Sequence, residues 1–141
     1  MTEEETRTWS LTYELVIDVY VCADRYLMTE FKTCIADWLV DYMETAGMDG
    51  ALPVLLEGCK KMAASLSEND TLLKKMFART GFLLNKLWKN WPEETSRFWV
   101  EAPEVGAMVM KEMGKRREEE VGEDLPSMEA QWSVDTIITG T

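Results

Sequence analysis

Apolar side chains return every third or fourth residue along most of this chain, and nowhere do they alternate. That spacing gathers them on one face of a helix and leaves no sheet to organise the fold. Leu11, Leu15, Val19, Ala23 and Leu27 recur at intervals of four. After a corner, Phe31, Ile35, Trp38 and Tyr42 do the same, joined by Cys34 and Leu39. The two stripes predict helices over about 11–26 and 30–46. Thr29 stands where a hydroxyl can cap the second helix by accepting an orphan backbone N–H.

Beyond the pair the punctuation continues to favour helices. Gly47 supplies a C-cap and Asp49-Gly50 a break. Pro53 opens a third helix, where its missing N–H does no harm, with Leu52, Leu55, Leu56, Cys59, Met62 and Ala63 on its apolar face. Ser67-Glu68-Asn69-Asp70 is a polar turn that ends in a strong N-cap residue. One long helix is expected over 71–90, with Leu73, Met76, Phe77, Thr80, Leu84, Leu87, Trp88 and Trp91 along its stripe. Pro92 and Pro103 start two more, over about 92–100 and 104–120, and each stops the helix before it. The fold class is therefore all-α: an irregular bundle of five to six helices stacked as helix pairs, with a disordered acidic C-terminal tail. Its core is expected to contain Leu15, Val19, Ala23, Phe31, Ile35, Trp38, Leu55, Cys59, Met76, Phe77 and Leu84. Residues 1–9 read as a disordered N-terminus, 10–120 as the helical domain and 121–141 as the tail. Within the domain, 10–46 is the first helix pair and 48–120 a helical extension. Residues 132–139 form a short strand only if they find an edge.

Charge is distributed unevenly. The formal net charge is −11, but residues 118–141 hold seven acids and no base, which leaves 19 acids against 15 bases, or −4, for residues 1–117. An acidic chain repels phosphate backbones, so nucleic acid is not an expected partner. Lys115-Arg116-Arg117 runs straight into three glutamates and reads as a solvated helix end. No apolar run approaches a membrane span, and Glu3, Glu4 and Glu5 do not resemble a signal peptide. A cytoplasmic or nuclear protein is expected. Cys22, Cys34 and Cys59 are odd in number and lie in apolar helical stretches, which predicts buried free thiols.

Chemistry-bearing patterns are sparse. There is no histidine, which removes Ser-His-Asp and Cys-His catalysis, His-containing zinc sites and the Glu-x-x-His pairs of di-iron bundles. Three scattered cysteines do not complete a thiolate site, and the glycines form no phosphate-binding loop. Asp37 and Asp41, four residues apart with Glu44 nearby, share a helix face. Such a face holds Mg²⁺ only when a second acidic helix opposes it, and otherwise is simply solvated.

One run of residues carries a resemblance. Val19-Tyr20-Val21-Cys22-Ala23-Asp24-Arg25-Tyr26, two turns after an aliphatic stripe and just before Phe31-Lys32, resembles the penultimate helix pair of a BTB/POZ domain, in the wording of its large fungal branch. The resemblance covers about residues 11–46 and extends more weakly to about 113. It implies the C-terminal helical half of such a protein without the N-terminal sheet region. Asp24, at the corner, is expected to accept N–H groups at the start of the second helix, and Tyr13, Tyr20 and Tyr26 to pack with a polar tip. BTB/POZ relatives are dimerising adaptors, some of which recruit cullin-type ubiquitin ligases. The resemblance therefore implies a non-catalytic interaction module that binds a protein partner or its own copy, with no cofactor. A small metal-dependent enzyme using the Asp37/Asp41 face, or a truncated remnant without a role of its own, are the alternatives. The candidate contact residues are Trp91 and Trp99, which stand with Trp88 and Phe98 around Pro92, because grouped exposed aromatics mark contact sites.

Overall fold

A computed structural model of the chain describes residues 1–122, 127 and 128. Among them the chain forms seven α-helices and no strand: α1 (Glu3–Arg25), α2 (Thr29–Ala46), α3 (Pro53–Ser65), α4 (Thr71–Phe82), α5 (Leu84–Asn90), α6 (Pro92–Glu101) and α7 (Pro103–Val121). A 3-10 turn, Gly47–Gly50, follows α2. The all-α class is as the periodicity requires. α1 and α2 form an antiparallel pair, α3 packs against α1, α4 packs against α3, and α7 lies along α4.

Helix ends explain most of this order. Pro53, Pro92 and Pro103 each take the first turn of their helix, where a missing N–H costs nothing. Gly47 ends α2 with a φ of 57°, a left-handed geometry that glycine adopts freely. The first corner is less accommodating. Met28 N–H reaches back to the Ala23 carbonyl at 2.9 Å and Leu27 N–H to that of Asp24 at 3.2 Å, the two bonds of a Schellman motif. The left-handed position falls on Leu27, with φ 56°, where glycine is the usual occupant and a Cβ is strained. Thr29 does not cap α2: the N-cap is Met28, with no side-chain bond. Asp24 does not cap it either, because its carboxylate is taken by Lys32.

Two expectations about length are corrected. Residues 3–10 are the first turns of α1, not a disordered lead. Thr2 and Glu5 form a reciprocal capping box, at 3.1 and 3.0 Å, and Trp9 is buried behind it. The single helix expected over 71–90 is two, broken at Leu83. Gly81, a poor helix former, sits just before the break. A Cβ there would lie 2.7 Å from that of Met113, so its bare backbone is also what lets α7 close onto α4. Gly106 does the same for Trp99, whose ring occupies the space a Cβ would need. The tail beyond Gly122, including the possible strand at 132–139, lies outside the described residues apart from 127 and 128.

The core runs through all seven helices, from Tyr13, Ile17 and Leu39 through Leu55, Leu56, Met62 and Leu73 to Phe98 and Val109. Ala23, Ile35, Leu55, Cys59, Met76 and Phe77 are buried as expected, and Val19 and Leu84 are partly so. Leu15, Phe31 and Trp38 are not: they are 63%, 48% and 48% exposed. The reason is angular. A step of four residues overshoots the helical turn by about 40°, so a strict four-residue stripe spirals round its helix. Leu11 and Leu15 face out, Val19 lies at the margin and Ala23 is inside. The face of α1 that is buried is Trp9, Tyr13, Ile17 and Tyr20, which mixes steps of four and three and so stays in place.

One polar cluster joins the elements. Asp70 caps α4 by accepting Leu73 N–H at 3.0 Å, accepts the Tyr20 hydroxyl at 2.9 Å, and pairs with Lys32 at 2.9 Å. Lys32 also holds Asp24 at 2.7 Å. Burial alone would raise the Asp70 carboxyl, but Lys32, the Leu73 N–H and Tyr20 outweigh it and hold the group below its usual range. Burial would lower Lys32, yet its two carboxylates hold it above the ordinary lysine value. Burial and the Asp70 carboxylate together push the Tyr20 phenol up.

Two expectations follow. Leu39, fully buried, should cost about 2–5 kcal/mol when replaced by Ala, whereas Trp38→Ala should cost only about 1 kcal/mol, mostly lost ring stacking. Urea unfolding ranks the two, and the reverse order would show that α2 is rotated. The Asp70 share of stability should be complete above the usual carboxylate range and vanish as pH falls through its lowered value. The Lys32 share should be complete below the ordinary lysine range and vanish as pH rises through its raised value. Asp70→Asn should therefore lower stability by about 1–3 kcal/mol at neutral pH and flatten the acid limb of melting temperature against pH. An acid limb unchanged in the variant would exclude Asp70 as its source.

Candidate functional site

The displaced stripes meet on the outside of the first helix pair. Leu11 and Leu15 of α1 are 60% and 63% exposed. Across the seam, α2 presents Phe31, Cys34 and Trp38. Between the helices runs a groove of about 280 Å³ lined by Leu15, Val16, Val19, Cys34, Ile35 and Trp38, all apolar or weakly polar. The corner at its end adds Tyr26, Leu27 and Met28, all exposed. Soluble domains seldom leave so many large apolar side chains together in water.

Trp38 is held there by a stack of rings. Its indole lies 4.8 Å from the Tyr42 ring at 17°, Tyr42 lies 5.1 Å from Trp9 at 9°, and Trp9 lies 5.4 Å from Tyr13 at 12°. Tyr13 has no exposure at all, so the ladder runs from the middle of the core to the surface. The Tyr42 hydroxyl donates to the Trp9 carbonyl at 3.4 Å. Burial, with Cys59 nearby, pushes the Tyr13 phenol well up, so the inner end of the stack stays neutral.

A rim of acids borders the groove. Glu30, Asp37 and Asp41 are exposed on the outer side of α2, in register with Cys34 and Trp38 by helical spacing. Among the described residues no Lys or Arg forms an ion pair with any of the three. Lys32, the one basic residue of α2, is turned inward to Asp24 and Asp70. Asp37 and Asp41 thus share a face as expected, but among the described residues no acidic helix opposes them. No group of three or more potential metal ligands lies among the described residues.

Trp91 and Trp99 occupy a different corner. Both are partly buried against the core. Trp91 connects α5 to α6, its carbonyl accepting the Thr95 hydroxyl at 2.7 Å. Trp99 stands edge-on to the buried Phe98 at 5.5 Å and 74° and covers Gly106. Trp88, expected on the buried stripe, is 41% exposed. The outer face of the first pair is thus the broader apolar surface, and the sequence reading missed it by assigning its residues to the core. The signal was present: α1 carries a second apolar stripe from Trp9 to Tyr20, and one helix in a thin bundle cannot bury both.

The cysteines divide in the same way. Cys59 is buried, its thiol pushed up to about 12 by burial. Cys22 and Cys34 are exposed rather than buried, because they follow the outward stripe. In the native protein an aromatic disulfide reagent should therefore modify Cys22 and Cys34 quickly and Cys59 only after unfolding. Fast reaction of all three would mean that the α3–α4 packing opens readily. No protein-family model, curated protein or solved structure matches this chain.

Proposed function

We propose that this chain is a non-catalytic protein-interaction module, built like the C-terminal helical half of a fungal-type BTB/POZ protein, that binds a protein partner across the outer face of α1 and α2. The observation that carries the reading is the row of Leu11, Leu15, Phe31 and Trp38, each at least 48% exposed, on helices that otherwise pack conventionally. Water-exposed apolar area of this kind gains free energy when covered, at about 25 cal/mol per Å², and an aromatic anchored at its centre is a typical binding hot spot. The reading retains the helix–corner–helix over 11–46 with Ala23 buried, while Asp24 pairs with Lys32 instead of capping α2 and Tyr26 is exposed instead of packed. Two exposed free thiols suit a reducing compartment, in keeping with a cytoplasmic or nuclear protein. No described helix is long and apolar enough to cross a membrane.

Leu15→Asp combined with Trp38→Ser removes the face while leaving the buried stripe intact. Val100→Asp, on the exposed and remote side of α6, serves as control. Proteins captured from the source cell by the wild type should be retained by the control and lost by the double variant, with melting temperatures close together. A capture profile that is the same for all three would overturn the proposal.

A further inference from the structure

We infer that the segment seated on this face is a basic amphipathic helix of the partner protein. The inference rests on the interaction reading above and adds the chemistry of the partner.

Shape gives the first argument. The groove lies along the seam of two antiparallel helices, and a third helix settles into such a seam at the usual interaxial distance of about 8–10 Å. α2 has 18 residues, which offers a docking length of about 27 Å or five turns. Leu15 and Val19 on one side, with Cys34 and Trp38 on the other, form ridges between which apolar side chains at i, i+3, i+4 and i+7 interdigitate.

Charge decides among the occupants. Glu30, Asp37 and Asp41 lie one helical turn from Cys34 and Trp38 and, among the described residues, form no ion pair. Across α2 four acids face one base, and that base points away from the groove into the Asp70 cluster. α1 and α2 together carry ten acids against three bases, so a second copy docked on this face would meet it with like net charge. An anionic membrane surface would meet them with like charge. A helix flanked by Lys or Arg neutralises the rim as its apolar stripe fills the seam, which favours both encounter and orientation.

The test uses the full chain and two synthetic helical peptides of about 18 residues, the length of α2. They share one Leu stripe at helical spacing and differ only in flanks of Lys or of Glu. Titration calorimetry at low salt should show the Lys-flanked peptide binding about tenfold tighter, the gain expected of a few exposed ion pairs. The preference should shrink at high salt and disappear in Asp37→Lys/Asp41→Lys, and Leu15→Asp/Trp38→Ser should abolish binding of both peptides. Equal binding of the two peptides, still dependent on Trp38, would overturn the basic partner and leave the interaction face standing. A dimer by light scattering that Leu15→Asp/Trp38→Ser dissociates would do the same, replacing the partner by a second copy. Binding to phosphatidylserine vesicles in preference to either peptide would overturn the helical partner in favour of a lipid surface. Failure of both peptides to bind would overturn the inference, whereas failure of the interaction reading is seen separately, in a capture profile indifferent to the face variants.

Discussion

Asp70 ties three helices to one point, and the orientation of the first helix pair depends on it. α1 and α2 each carry two apolar faces, one directed at α3 and α4 and one at solvent. Area alone discriminates poorly between them, since hydrophobic attraction has no direction. The polar groups do have direction. Tyr20 lies on the face of α1 that also holds Tyr13 and Ile17, and Lys32 projects from the start of α2 beside it. Both converge on the carboxylate that caps α4. Turning the pair over would bury Leu15 and Trp38 and take Tyr20 and Lys32 away from Asp70. A buried or half-buried ion pair adds little net stability, but losing one partner is costly, and that asymmetry selects one packing.

Much of the fold is legible in the sequence because its signals are local. Pro53, Pro92, Pro103, Gly47 and Asp70 each fix a helix end through their own backbone chemistry, and each does so in the structure. Signals that depend on neighbours read less well. Gly81 is an ordinary weak point until Met113 of α7 is brought against it. The capping box of Thr2 and Glu5 is legible in principle, but the polar, acidic stretch around it reads as disordered, and only the burial of Trp9 makes the first turns worth ordering. The candidate site was least legible, since an apolar residue carries no mark of which side its partner will come from. Leu15 and Ala23 belong to one four-residue series, and a rotation of about 80° between them separates surface from core.

The two aromatic corners illustrate the difference between covering and presenting a ring. At the α5–α6–α7 corner, Gly106 surrenders its side-chain volume to Trp99, Phe98 is buried beside that ring, and the Thr95 hydroxyl donates to the carbonyls of Leu87 and Trp91. That corner keeps Phe98 and Thr95 inside and leaves Trp91 and Trp99 half-buried. At the first pair no such cover lies over Trp38 among the described residues, and the ring is 48% exposed. The acids beside it keep the face soluble while it is open, in the way that charges at a rim guard apolar surface from indiscriminate contact.

The ring ladder beneath Trp38 has an entropic consequence. A large side chain at a surface usually samples several rotamers and surrenders that freedom when something covers it, at about 0.5–1.5 kcal/mol for each side chain immobilised. Here the indole is already stacked on Tyr42, and Tyr42 on Trp9, whose own position is fixed by the fully buried Tyr13. The ordering was completed when the core formed. A contact made on this face therefore meets a preorganised anchor and loses little freedom there, so a modest covered area can bind more firmly than its size alone suggests.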